Sequence, residues 1–305
     1  MNDKLCTLSQ AIERFVPDGA SVALGLHLES MIPFAAGHEI IRQRRRDLTL
    51  VGPISDILFD QMIGAGCVRR VMAAWVGNVM MGSGYNFRRA IESGIPAPLE
   101  MVDHTNFTLA LALHAAALGV PFVPTHTAGG STVAARNPDI VEFRAPFTGE
   151  TMHAVRAVAP DVTIVHAQRA DRAGNAHVWG NLGVLTDAVH AAGRVIVLAE
   201  EIVAERVIAS DPNRTVVPGF LVSAVVEAPF GAHPSPVQGC YNRDHEFYRE
   251  YHDATRTREG FAAWLQEMVL GVDGLPQYLQ RVGEARLDAL RVRRRAQSAR
   301  ADFGS

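Results

Sequence analysis

Short apolar runs separated by polar turns recur along the chain, and segments with helical periodicity lie between them. Strands are predicted over residues 21–26, 48–51, 70–76, 99–102, 162–166, 195–199 and 221–226. Helices are predicted over residues 8–15, 33–46, 54–63, 85–93, 107–118, 151–158 and 186–192. Buried strands that alternate with helices usually form a parallel sheet. The pattern therefore predicts an α/β fold with an open, mainly parallel twisted sheet covered by helices on both faces.

The stretch 103–131 organises this prediction. It combines the apolar helix 107–118, a short strand at 120–123 and a glycine loop at 125–131. Ligands in open α/β folds bind outside the carboxyl ends of strands, so this loop and the residue before the helix are candidate site positions. These candidates are Asn106, Gly129 and Gly130.

The last sixty or so residues differ from the rest of the chain, because their pattern is helical and charged. The preceding stretch, 227–235, carries too many Pro and Gly residues for a regular element. We therefore divide the chain into an α/β domain at 1–242 and a helical C-terminal extension at 243–305.

Charge and composition exclude several classes of protein. The net charge is −3, and the absence of a basic excess argues against nucleic-acid binding. Lys4 is the single lysine, so a pyridoxal Schiff base or a P-loop has no suitable residue inside the fold. Three cysteines lack a CxxC pair, and no secretory signal or 18-residue apolar run is evident. We therefore expect a cytoplasmic protein that does not bind membranes.

Standard catalytic signatures are also missing. The chain has no GxSxG elbow, and the glycines at 64–66 do not form a dinucleotide fingerprint. The sequence HEFYREYH at 245–252 is not HExxH, so no metal site is expected. His104, His126 and His233 lie in predicted loops and are the better site candidates, whereas His114 and His190 fall within apolar helices and are expected in the core or at its boundary.

Five segments resemble, in the same order, the alpha-subunit type of family I CoA-transferases. The resemblance covers residues 5 to 250, approximately. The last segment is similar to a feature of the A subunit of glutaconate CoA-transferase. The segments are a strand and loop at 21–25 leading to a proline at 33, WVGN at 75–78, residues 108–125, AQRADRAGN at 167–175 and VEAPFGAHPS at 226–235.

The resemblance implies a fold related to ribose-5-phosphate isomerase and glucosamine-6-phosphate deaminase. It also implies a beta-type partner subunit, in a heterodimer or heterotetramer, whose glutamate attacks an acyl-CoA to give a glutamyl-CoA thioester. Coenzyme A would enter as the substrate thioester, and this chain would supply part of its site. The residues implied for substrate and CoA binding are Gly25, Glu29, Ser30, Gly77, Asn78, His104, Asn106, Gly129 and Gly130.

Asn106 marks a difference from one group of relatives. The resemblance extends to the hydrolases that open the last steroid ring, in which the matching position is a catalytic glutamate. An amide cannot serve as a base or nucleophile, so ring hydrolysis ranks below acyl-CoA transfer. The Asn106 side chain could donate to a substrate oxygen, or it could cap the helix, as Thr105 or Asp103 could equally well.

Two further expectations complete the sequence-based picture. Phe230, His233 and Tyr241 are candidates for a subunit interface. A non-catalytic ligand sensor is an alternative of a different class, but no helix-turn-helix is visible in the sequence. The arginine-rich segment 291–300 is more consistent with a solvated helix end than with nucleic-acid binding.

Overall fold

The structure is a computed structural model that describes residues 3–293. Short apolar segments form its strands, as the pattern predicts. In chain order these are β1 (Ser21–Ala23), β2 (Leu48–Val51), β3 (Val68–Ala73), β4 (Gly77–Asn78), β5 (Gly82–Ser83), β6 (Glu100–Asp103), β7 (Phe122–Thr125), β8 (Ile140–Arg144), β9 (Thr151–Arg156), β10 (Val162–Ala167), β11 (Arg169–Ala170), β12 (Ala176–His177), β13 (Arg194–Ala199), β14 (Thr215–Val217) and β15 (Val222–Glu227).

Within residues 3–293, the largest sheet contains seven strands in the order β15-β13-β10-β1-β2-β3-β6. Every neighbouring pair in it is parallel. The prediction of an open, mainly parallel sheet is therefore confirmed. The predicted strand at 48–51 has the observed bounds, and the predicted strand at 70–76 is shifted to Val68–Ala73.

Helices connect these strands, and the predicted bounds at 8–15 and 85–93 agree with the structure. The helix predicted at 107–118 begins one residue earlier, and its first turn is closed by a capping box between Thr105 and Thr108. The helices are α1 (Leu8–Phe15), α2 (Phe34–Arg42), α3 (Asp56–Gly64), α4 (Tyr85–Ser93), α5 (Asn106–Ala117), α6 (Thr132–Arg136), α7 (Leu185–Ala191), α8 (Glu205–Ala209), α9 (His245–Ala254), α10 (Arg258–Leu265), α11 (Leu275–Val282) and α12 (Glu284–Leu290).

Both faces of the main sheet are buried, which explains why its strands are apolar almost throughout. On one face Val22 and Leu50 pack with side chains of α1, α2 and α3. On the other face Ala23 and Val51 pack with Leu109 of α5 and with α7. Side chains of a strand alternate between the two faces, so both sets of positions must be hydrophobic.

A small outer sheet corrects two sequence predictions. Residues 151–158 are not a helix: Thr151–Arg156 is the central strand of an antiparallel sheet with the order β7-β9-β8. In that sheet Val155 is buried and packs with Ile140 and Ala112 of α5. The strand predicted at 120–123 is β7 of this sheet, so the loop after it does not lie at the end of a main-sheet strand.

The C-terminal helices pack on the same core as the sheet. Phe247, Tyr248, Trp264 and Tyr278 belong to the cluster that covers one face of the main sheet. The division at residue 242 stays a sequence-based prediction, and residues 294–305 lie outside the described part of the chain. None of the helices in residues 3–293 combines the length and the apolar character needed to cross a membrane.

Candidate active site

Seven of the nine candidate site residues lie in loops at the carboxyl ends of β1, β3 and β6, on one edge of the main sheet. Gly25 follows β1 with a φ of +65°. A Cβ atom at this position would lie 2.1 Å from the Ser55 Oγ and 2.9 Å from the Ser55 Cα. The Ser55 hydroxyl in turn donates to the Leu24 carbonyl at 3.0 Å. Glycine therefore allows the loops after β1 and β2 to touch.

The loop after β1 contains one buried and one exposed polar group. His27 is 1% exposed, and its Nδ1 donates to the Asn181 carbonyl at 2.9 Å. Burial lowers the His27 pKa to about 4, and the nearby His166 adds to the lowering while the bond to Asn181 opposes it. The imidazole is thus neutral at pH 7. Its Nε2 has no hydrogen-bond partner among the described residues.

Glu29 and Ser30 lie in the same loop and both have protein partners. Arg243 donates from Nη2 to the Glu29 carboxylate at 2.9 Å. Ser30 donates from Oγ to the His27 carbonyl at 3.3 Å. Glu29 is therefore a paired surface acid, which does not favour a role as a nucleophile.

The loop after β3 is a tight hairpin in which β4 and β5 pair. A Cβ atom at Gly77 would lie 2.4 Å from the Gly82 carbonyl oxygen. Asn78 is 1% exposed, and its side chain donates to the Tyr248 carbonyl at 2.9 Å. Asn78 therefore fixes the loop from within, and its amide does not face solvent.

Asp56, which sequence reasoning missed, lies between these loops at the start of α3. It is fully buried and adopts a φ of +50°. Its Oδ1 accepts from the backbone N–H groups of Ile57 and Val79, and its Oδ2 has no well-formed hydrogen bond although the Tyr248 hydroxyl lies close. Burial raises the pKa of Asp56 to about 6, while its hydrogen bonds and the Arg243 charge oppose the rise.

The loop after β6 settles the capping question. Thr105 is the N-cap of α5, and its Oγ1 accepts from the Thr108 N–H at 3.0 Å. Asn106 is the first helical residue and is exposed, so its side chain is available to a ligand. His104 is buried beside Thr108, and burial lowers its pKa to about 4 against the opposing charges of Asp139 and Asp103.

Gly129 and Gly130 lie in the turn between β7 of the outer sheet and α6, away from the loops that end main-sheet strands. A Cβ atom at Gly129 would lie 3.3 Å from the His153 ring. Gly130 has a φ of +74° with open space around it. Their place in a site with the other candidates stays a prediction.

Several predicted roles of other residues are wrong. Phe230, His233 and Tyr241 are at most 4% exposed, so in this chain they are core residues and not an exposed interface. His114 and His190 are exposed, although their helices are apolar, because each lies on the outer side of its helix.

His245 and His252 bind different partners, Met80 and Tyr85.

A second polar group, the partly buried Glu200, joins the ends of β10 and β13. The Glu200 carboxylate accepts from His166 Nε2 at 2.6 Å, from the Tyr241 hydroxyl at 3.0 Å and from the Phe230 N–H at 2.9 Å. Phe230 has a φ of +58°. Glu200 thus fixes the strained turn in the segment 228–235. Sequence offered only a weak signal here, a polar residue directly after an apolar strand.

Metal binding has no support in the geometry. Within residues 3–293 the side chains of His, Cys, Asp and Glu do not form a group of three or more that could hold an ion. Cys67 is buried with a pKa raised to about 12 and cannot act as a thiolate. Among the candidate polar side chains at this edge, the exposed Asn106 amide is the one that can donate to a carbonyl oxygen, since Asn78, His27 and His104 are buried.

Replacing Asp56 with asparagine should stabilise the protein at neutral pH. A folded-state pKa above the unfolded value of 3.8 means that stability falls as the pH rises from about 4 to 6. The ionised carboxylate therefore costs about 3 kcal/mol at pH 7, and asparagine avoids that charge while tolerating a positive φ. Urea unfolding at pH 7.5 and at pH 4 measures both stabilities.

We expect Asp56→Asn to increase the free energy of unfolding at pH 7.5 and to leave it unchanged near pH 4. The exposed Asp288→Asn serves as the control and should show little change at either pH. A gain that persists unchanged at pH 4 would contradict the desolvation of Asp56.

Comparisons with known proteins provide independent information. The model of the family described as Coenzyme A transferase matches residues 6–228. The chain is 43% identical over 93% of its length to the A subunit of the 3-oxoadipate CoA-transferase of Pseudomonas knackmussii, 99% of which is covered. It superposes on the solved glutaconate coenzyme A-transferase of Acidaminococcus fermentans with a TM-score of 0.90 and 34% identity, covering 95% of this chain and 96% of that one. A cholesterol ring-cleaving hydrolase subunit of Mycobacterium tuberculosis is 31% identical over 90% of this chain and 95% of its own length.

Proposed function

The chain belongs to the coenzyme A transferase family, and from that premise we propose that it is the alpha subunit of an acyl-CoA:carboxylate CoA-transferase. The observation that carries the proposal is the 43% identity to the A subunit of a 3-oxoadipate CoA-transferase over 93% of the chain. That identity extends over nearly the full length of both proteins.

The reaction needs a carboxylate nucleophile, and we assign it to a glutamate of a beta-type partner in a heterodimer or heterotetramer. Two acids near the candidate edge of this chain are poor nucleophiles, because Asp56 is buried and Glu29 is paired with Arg243. The matching chains of the 3-oxoadipate and glutaconate CoA-transferases are both named as A subunits, which supports a partner subunit.

The chemistry proceeds by carboxylate attack on the thioester carbonyl. The carbon–sulfur bond breaks, and CoA leaves as a thiolate with an acyl-glutamyl anhydride remaining. The thiolate then attacks the glutamyl carbonyl, which releases the first carboxylate and leaves a glutamyl-CoA thioester. The acceptor acid reverses the two steps. Donors such as the Asn106 amide would stabilise the negative oxygen during each attack.

Co-expression with the beta-type chain encoded nearest to this one tests the proposal. We expect the two chains to co-purify, and we expect acyl-CoA transfer only from the complex. Incubation with acyl-CoA and then borohydride or hydroxylamine should modify a glutamate of the partner. Full transferase activity of this chain alone, or an adduct on this chain, would overturn the assignment.

The second candidate function is thioester or ring hydrolysis, which the 31% identity to a ring-cleaving hydrolase subunit favours. The variant Asn106→Ala distinguishes it from CoA transfer. Because Thr105 caps the helix, the free energy of unfolding of the variant should differ from that of the parent by less than about 0.5 kcal/mol. Loss of one hydrogen bond predicts a decrease of kcat/KM of about twofold to tenfold. Initial rates of transfer and of CoA release measure the effect. Abolished turnover would indicate that the reaction depends on position 106 and would favour hydrolysis.

A non-catalytic ligand sensor is the remaining alternative, and turnover by the complex would exclude it. The arginine-rich segment 291–300 lies largely outside the described residues, so DNA binding is tested separately with mixed-sequence DNA at low salt. We expect no binding. Cytoplasmic location stays a prediction.

A further inference from the structure

Asp56 combines three unusual features, of which burial makes an ionised acid costly. The residue is buried, its backbone has a φ of +50°, and its Oδ2 lacks a well-formed hydrogen bond. Ser55 is the N-cap of α3, so Asp56 is not needed as the cap. Backbone strain and unsatisfied polar atoms that persist together are concentrated at functional positions in proteins.

The contacts of Asp56 lead to the hairpin 77–83. Its Oδ1 accepts from the Val79 N–H at 3.1 Å. The next two amides, of Met80 and Met81, donate to the Asn78 Oδ1 at 3.0 and 3.1 Å. Three successive backbone N–H groups at the tip are thus held by two buried side chains.

The hairpin presents apolar groups at the candidate edge. Met80 and Met81 are both 39% exposed, whereas the residues that hold their backbone are buried. Methionine side chains are flexible and polarisable, and they adapt well to apolar ligands. A fixed backbone beneath such side chains lowers the entropy lost when a ligand binds.

We propose that Asp56 is a positioning residue that fixes the hairpin 77–83, so that Met80 and Met81 contact the apolar part of a CoA thioester. The inference rests on the proposed function for the identity of the ligand. Asp56 does not react in this scheme. It acts through the Val79 N–H, and its loss should weaken substrate binding more than it slows the chemical steps.

Two substitutions separate positioning from charge. Asp56→Gly tolerates the positive φ but removes the acceptor for Val79. Asp56→Asn keeps an oxygen acceptor and removes only the charge. In the co-expressed complex we expect Asp56→Gly to raise the KM for acyl-CoA about tenfold and to change kcat less than twofold. We expect the KM of the Asp56→Asn complex to equal that of the parent.

Amide hydrogen exchange on the complete chain supplies a readout that needs no activity. The Val79, Met80 and Met81 amides should exchange at least tenfold faster in Asp56→Gly than in the parent or in Asp56→Asn. Should Asp56→Gly fail to fold, Asp56→Ser replaces it, because the shorter side chain also loses the bond to Val79.

Unchanged exchange in the glycine or serine variant would overturn the positioning role. An Asp56→Asn enzyme as impaired as Asp56→Gly would overturn it too, because the carboxylate charge would then be required. A complex that transfers no CoA would instead overturn the proposed function, and the exchange comparison would still decide whether Asp56 holds the hairpin.

Discussion

Asp244→Ala should destabilise the protein by about 3–5 kcal/mol, because it breaks a buried ion-pair network. Asp244 is 3% exposed and accepts from Arg286 Nε at 2.6 Å, from Arg286 Nη2 at 2.8 Å and from His233 Nε2 at 2.9 Å. It also caps α9 through the Phe247 N–H. Alanine would leave the buried His233 N–H without its acceptor, and Arg286 would keep only its ion pair with the exposed Glu250. The free energy of unfolding in urea measures the loss.

The matched control is Asp253→Ala. Asp253 forms an ion pair with Arg256, but both side chains are more than 60% exposed, and such pairs contribute less than about 1 kcal/mol. If the two variants lost the same stability, burial would not be the cause. Arg286→Met, which removes the charge and leaves Asp244, provides a second measurement if Asp244→Ala does not fold.

The pH dependence of this network has a defined sign. Burial alone would raise the pKa of Asp244, but the hydrogen bonds from His233, Arg286 and the Phe247 N–H hold it well below its usual range. The resulting stability is present above about pH 4 and is lost as the pH falls further. The difference in the free energy of unfolding between the parent and Asp244→Asn should therefore become smaller below pH 4.

Gly25→Ala is the second substitution with a large expected effect. The positive φ of Gly25 disfavours any side chain by roughly 1–2 kcal/mol, and the added Cβ would overlap Ser55, where overpacking costs a further 1–3 kcal/mol. We expect a total loss of about 2–5 kcal/mol, together with at least a tenfold lower kcat/KM of the complex, because the loops after β1 and β2 must separate.

Gly19→Ala separates strain from overlap. Gly19 has a φ of +79° but nothing lies within 4 Å of a Cβ atom there, and it precedes β1 at the other end of the strand. This control should lose only the roughly 1–2 kcal/mol of unfolding free energy that the positive φ costs, and it should keep full activity. Equal losses of stability in the two variants would show that the contact with Ser55 is unimportant.

The parallel sheet could be predicted because its strands are apolar on both faces, as the runs at 48–51 and 195–199 illustrate. Strand β9 could not be predicted in this way. Its residues Met152 and Ala154 favour helix as readily as strand, and pairing with β7 and β8, which are distant in sequence, decides its conformation. Non-local pairing of this kind leaves little local signal in one sequence.

The candidate site shows the same division. Gly25 and Gly77 could be named through the family resemblance, and an added Cβ atom would clash with its neighbours at both positions. Asp56 could not, since its importance comes from burial, a left-handed backbone and a contact with Val79, and each depends on the folded chain. Polar residues whose role comes from tertiary surroundings resemble any other polar residue in a sequence.

The aromatic side chains of α9, α10 and α11 share one core with the sheet, and this has a calorimetric consequence. Removing the C-terminal helices would expose the apolar face formed by α2 and α3 to water. Sheet and helices of the isolated chain should therefore melt together in one transition. A protein truncated after residue 242 should show no cooperative unfolding transition on heating, because it does not fold.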